Sequence, residues 1–86
     1  MERPCIIVDE IEGGYLVIKV TRAAPRKYDE YDTSIEYWKE CGLTSPSTAR
    51  VSKLVTIKDS QIDNFKGKLN PEDEKNIANL LEKFIE

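Results

Sequence analysis

Two runs of β-branched residues flank a Gly-Gly pair near the start of the chain, and this feature commits the chain to a sheet. Cys5-Ile6-Ile7-Val8 opens the first run, Tyr15-Leu16-Val17-Ile18-Lys19-Val20 forms the second, and Gly13-Gly14 lies between them. Branched side chains crowd a helix at χ1 and suit a pleated strand, and glycine supplies the backbone freedom a tight reversal needs. The spacing predicts a β-hairpin from Pro4 to Val20. A further strand is expected over Thr48–Ile57. There Ala49, Val51, Val55 and Ile57 alternate with Arg50, Ser52, Leu54 and Thr56, and Lys53 interrupts the pattern.

The clearest helix signal closes the chain. Asn70 stands where an N-cap belongs, Pro71 at the first helical position, and Glu72 and Asp73 in the first turn, where the helix dipole favours anions. Ile77, Leu80, Leu81, Phe84 and Ile85 then fall on one stripe. At ~1.5 Å per residue such a helix is roughly 22 Å long, the width of a small sheet, so the stripe is expected to pack on the sheet. Between these elements, 21–32 reads as a polar loop. Thr33–Trp38 suits a short strand, Tyr37–Gly42 equally suits a helical turn closed by Gly42, and Thr44-Ser45-Pro46-Ser47 is a loop. Lys58-Asp59-Ser60 reads as a turn and Phe65–Leu69 as a short strand broken by Gly67. The expected architecture is mainly β, a small sheet or partial barrel with a C-terminal α-helix, in a single domain over 1–86.

Composition narrows the chemistry. The 86 residues carry 13 Lys and Arg against 16 Asp and Glu, a net charge of −3. The stretch 19–53 is nonetheless net positive, by +2. An acidic chain is unsuited to nonspecific coating of nucleic acid but leaves room for a local phosphate site. With no histidine, neither a Ser-His-Asp nor a two-histidine mechanism can be built, and Cys5 and Cys41 alone cannot make a four-ligand metal site. The two thiols are expected to be reduced, and no metal or cofactor is expected. No apolar run approaches the ~20 residues that span a bilayer, and no secretory signal pattern opens the sequence, so the protein reads as cytoplasmic and free of membrane.

An ordered set of landmarks goes further. Glu2-Arg3-Pro4 leads into the first strand and Thr21 ends the second. Then come Tyr37-Trp38-Lys39-Glu40-Cys41-Gly42-Leu43, Pro46-Ser47, Ala49-Arg50-Val51, and Gly67-Lys68-Leu69-Asn70-Pro71-Glu72-Asp73 at the start of the helix. In order and spacing this resembles the PemK/MazF family, the ribonucleases of bacterial toxin–antitoxin pairs, over nearly the whole chain. The resemblance implies an SH3-like barrel with a C-terminal helix, usually a homodimer, that cuts single-stranded RNA without a metal and is held by an antitoxin protein. Family members normally carry a strand ahead of the Arg-Pro pair, whereas this sequence begins two residues before Arg3, so the first strand is expected to be missing.

Carried over by residue, the family's Arg and Thr match Arg3 and Thr21, the catalytic candidates. RNA can be cut by its own 2′-hydroxyl, so the protein need only position groups and stabilise charge on the phosphorus transition state. Arg3 suits charge stabilisation, because its planar fork matches phosphate oxygens and its high pKa makes it a poor base. Arg22, Arg26 and Lys27 in the polar loop are candidate RNA contacts, with Tyr28 and Tyr31 as stacking candidates. Arg50 matches a basic family position whose neighbouring acid is here replaced by Ser52, and both join the candidate RNA-binding set. Trp38 reads as core. The alternative is a catalytically degenerate relative, phage- or mobile-element-encoded, that binds RNA or protein.

Overall fold

The structure, a computed structural model, describes residues 4–62 and 67–86. Four strands make one antiparallel sheet: β1 (Cys5–Ile11), β2 (Gly14–Thr21), β3 (Asp32–Ile35) and β4 (Ser47–Lys58). Their spatial order is β1-β2-β4-β3. A 3-10 turn, Asp59–Gln61, follows β4, and the helix α1 spans Pro71–Ile85. The hairpin forms as expected, and its two glycines do different things. Gly13 takes the left-handed conformation of the reversal, at φ 78°. Gly14 already belongs to β2, where a Cβ would collide with the carbonyl oxygen of Ile57.

Two irregularities bend the sheet into half of a small barrel. Ile7 faces Val17 and Asp9 faces Leu16, which leaves Val8 as the extra residue of a bulge. Ile18 faces Leu54 but Lys19 faces Arg50, so Val51, Ser52 and Lys53 have no partner on β2. Bulges kink a strand and increase its twist. The β4 bulge also accounts for the alternation broken at Lys53. It splits β4 into a first part that pairs with both β2 and β3 and a second that pairs with β2 alone.

The core lies between this curved sheet and α1. Ile18, Val20, Ile35, Cys41, Ala49, Val51 and Ile77 are buried together, with Ile6, Val8, Trp38, Leu54, Leu80 and Leu81 packed around them. Each fully buried branched side chain contributes about 1.5–3 kcal/mol. The helix starts as its sequence requires: the Asn70 side chain accepts from the Glu72 N–H at 2.8 Å, with Pro71 at N1. Its stripe is buried at Ile77 and emerges toward the end, with Ile85 66% exposed. The Phe84 ring meets Tyr31 edge-on at 5.1 Å, which makes Tyr31 a packing residue.

β3 is shorter than Thr33–Trp38 suggests. It stops at Ile35, and the chain turns through Tyr37–Gly42, with Gly42 N–H bonded to the Lys39 carbonyl and Gly42 at φ 88°. The reason is Asp73 on α1, whose two carboxylate oxygens accept the N–H groups of Glu36 and Tyr37, each at 2.9 Å. Backbone donors held by a helix cannot extend a ladder. Gly67–Leu69 form no strand, while Phe65 and Lys66 lie outside the described residues. Among the described residues no helix is long and apolar enough to cross a membrane.

Candidate functional site

Thr21 ends β2 opposite Thr48 of β4, and Thr48 stands opposite Ser34 of β3. Three hydroxyl-bearing residues thus lie in one row across three strands. The next row on the same face is Lys19, Arg50 and Asp32. The intervening residues Val20 and Ala49 point into the core. The structure therefore brings Thr21 and Arg50 to one face. Thr21 Oγ1 accepts from the Ala23 N–H at 3.2 Å, which leaves its own hydroxyl proton to donate. Arg50 is half-buried, and its Nε is a buried donor with no partner among the described residues. Arg3 lies outside the described residues.

The remaining candidates divide into two groups. Arg22 and Lys27 are exposed. Arg26 and Ser52 turn inward onto carboxylates. Arg26 Nε donates to Asp32 Oδ2 at 2.9 Å, and its Nη2 donates to Asp29 Oδ2 at 2.6 Å and Asp32 Oδ1 at 3.1 Å. The Arg26 backbone N–H also reaches Asp32 Oδ2, at 3.0 Å. Ser52 Oγ donates to Asp29 Oδ2 at 3.3 Å, and the Tyr31 N–H donates to Asp29 Oδ1 at 2.9 Å. The Asp32 side chain is 0% exposed. Hydrogen bonds from Arg26, with the charges of Arg26 and Arg50, hold its carboxyl below the usual carboxylate range against the effect of burial. The same pairing holds Arg26 more firmly protonated. Tyr28 is 90% exposed at the tip of this loop.

Where β2 and β3 stop and β4 begins, a cavity of about 340 Å³ opens. Arg22 and Pro25 form one wall, Glu36 and Trp38 another, and Ser34 and Thr48 lie at its base. Both walls are tied down. The Arg22–Pro25 side runs into the Arg26–Asp32 clasp, and the Glu36–Trp38 side is held by Asp73, which is 1% exposed. Trp38 packs against the core and also lines the cavity, and Lys39 Nζ lies 5.4 Å from its ring centroid. Glu36, Asp32 and Asp73 were not among the residues the sequence singled out for the site. The one available signal was the acid-rich stretch Asp29-Glu30-Tyr31-Asp32 beside Arg26. Both cysteines are free thiols: Cys5 is exposed at the start of β1, and Cys41 is buried with Sγ on the Trp38 carbonyl at 3.3 Å.

No family model matches the sequence, and no curated protein matches it. Solved structures do. The Mycobacterium tuberculosis toxin MazF-mt6 aligns with a TM-score of 0.77 over 96% of this chain and 85% of its own, at 19% identity. A second crystal structure, of an Mtb toxin, gives a TM-score of 0.74 over 95% of this chain and 91% of its own, at 18% identity. The fold is MazF-like: a four-stranded half-barrel with a C-terminal helix.

Proposed function

We propose that the chain, as a single MazF-like domain over 1–86, is a metal-independent endoribonuclease of the toxin–antitoxin type that cuts single-stranded RNA. One observation carries the reading. Nearly the whole chain shares the fold of MazF toxins, with Thr21 at the end of β2 opposite Thr48 and its hydroxyl proton available. In this reading the RNA 2′-hydroxyl attacks the adjacent phosphorus, the bond to the 5′-oxygen breaks, and a 2′,3′-cyclic phosphate and a 5′-hydroxyl result. Arg3 stabilises the charge on the phosphoryl oxygens and Thr21 donates a hydrogen bond to one of them. Arg22, Lys27 and Arg50 supply positive potential along the strand. The proposed partners are a second copy of the chain and an antitoxin. The exposed Ile7 and Ile11 on β1, an edge strand among the described residues, favour such pairing.

The test is purified protein on a mixed-sequence RNA pool in excess EDTA, read by primer extension. Cleavage is expected to persist, and Arg3→Ala to slow it on the order of 100- to 1,000-fold. A folded protein that cuts at no site would instead be an RNA- or protein-binding module. Cutting unchanged by Arg3→Ala would reject the site.

A further inference from the structure

We propose that the cavity at the end of the sheet is a base-recognition pocket for guanine, with Glu36 and Arg22 as its specificity-determining residues. This rests on the RNA-cleaving reading and adds to it the identity of a base. The cavity, at about 340 Å³, reaches the size of small-ligand sites. It also carries the three groups that single-base recognition needs. Trp38 lines the cavity, and the Lys39 ammonium over its ring, 5.4 Å from the centroid, is the group a stacked base would displace. Glu36 supplies two acceptor oxygens and Arg22 a fork of donors. Among the described residues, neither side chain makes a hydrogen bond or an ion pair. Both are exposed, so each is available to a ligand.

The pairing of a carboxylate with a guanidinium selects one base. Guanine alone presents two adjacent N–H donors, at N1 and the exocyclic amine, which match the two oxygens of a carboxylate. Its O6 and N7 are the acceptors an arginine fork takes together. Adenine and cytosine each offer one amine beside an unprotonated ring nitrogen, whose lone pair a carboxylate repels. Uracil offers a single N–H between two carbonyl oxygens. The backbone that carries the pocket is held in place, which lowers the ordering cost of binding. Asp32 fixes the loop that leads from Arg22, and Asp73 fixes the turn that carries Glu36 and Trp38. The Glu36 backbone N–H is held by Asp73 while its exposed side chain takes no part in that bond, so the carboxylate can be altered without loosening the turn.

Trp38 is the single tryptophan of the chain, so its fluorescence reports on this pocket directly. The experiment titrates the protein with GMP, AMP, CMP and UMP at neutral pH. GMP is expected to quench saturably, with a dissociation constant at least about tenfold below that of the other three, the low end of discrimination by a bidentate contact. Glu36→Gln is expected to remove that preference with an unchanged thermal unfolding midpoint, and Arg22→Ala to weaken GMP by a larger factor than UMP. Equal quenching by all four nucleotides, quenching by none, or GMP binding untouched in Glu36→Gln would overturn the proposal. Cleavage mapping separates the two readings. Cutting without GMP selectivity rejects the pocket and leaves the ribonuclease standing. GMP selectivity without cutting upholds the pocket and rejects the ribonuclease.

Discussion

The two walls of the cavity are both fixed by a buried carboxylate, but by opposite strategies. On one side Asp32, the first residue of β3, grips a residue six positions back in the preceding loop, and the grip is an ion pair, Arg26 to Asp32 at 2.9 Å. On the other side Asp73 reaches across 36 and 37 positions to two backbone N–H groups, with no cation involved. The first wall is a local clasp that can form wherever the loop closes. The second exists only once α1 has docked on the sheet. The first wall therefore rests on an ion pair within one short segment, and the second on the docking of α1.

Asp73→Ala gives the largest effect. It orphans two backbone donors that now bond a charged group, for a loss of about 3–6 kcal/mol. The unfolding midpoint in urea should fall steeply, with hydrogen exchange accelerated at Glu36 and Tyr37 more than within the β1–β2 hairpin. Equal acceleration in both places would mean that Asp73 holds the fold generally rather than this wall. Arg26→Ala comes next, because it leaves the fully buried Asp32 carboxylate with only the backbone N–H of residue 26 and the nearby charge of Arg50. Asp32→Ala should cost less, about 1–2 kcal/mol, since Arg26 is 28% exposed and water can take up its donors. Chemical denaturation of the two variants side by side tests this order, and a reversed order would contradict the burial argument.

The local clasp should also titrate. Asp32 has a lowered pKa in the folded state, so its contribution is complete above the ordinary carboxylate value of about 3.9. It is lost as pH falls through the lowered one. The stability gap between the native protein and Asp32→Asn should therefore hold from neutrality to about pH 4 and close below it. A gap that stays constant to low pH would remove the ion pair from the account. The smallest effect is expected at the far end of α1, where Ile85 is 66% exposed and Ile85→Ser should shift stability by less than about 0.5 kcal/mol.

The contrast between the walls also shows what the sequence could disclose. The hairpin, β4 and α1 with its Asn70 cap follow from periodicity and from residues whose partners lie within a turn, so they were legible. Asp73 was legible only in part. An acid in the first turn of a helix is already explained by the dipole, and that local explanation hid its bonds to Glu36 and Tyr37. The end of β3 at Ile35 was hidden for the same reason. Arg26 stood out as a basic residue, but its pairing with Asp32 depends on loop closure that no spacing rule encodes. Trp38 fits a core reading, and only the junction of three strand ends shows that it also lines a cavity. Thr21 was placed at a strand end by pattern alone. Its neighbours Thr48 and Ser34 came from register: the β4 bulge sets Thr48 opposite Thr21, and the regular β3–β4 pairing sets Ser34 opposite Thr48.

In the proposed reaction, RNA supplies its own nucleophile on a MazF-like sheet. The most direct measurement uses a short RNA containing one mapped cleavage site, and its copy with a single 2′-deoxyribose on the 5′ side of that bond. The cut RNA should carry a 2′,3′-cyclic phosphate, seen by mass spectrometry in excess EDTA, and the deoxy-substituted copy should not be cut. Cutting of the deoxy-substituted copy at the same bond would mean that water or a protein group attacks the phosphorus, and would overturn the 2′-hydroxyl mechanism.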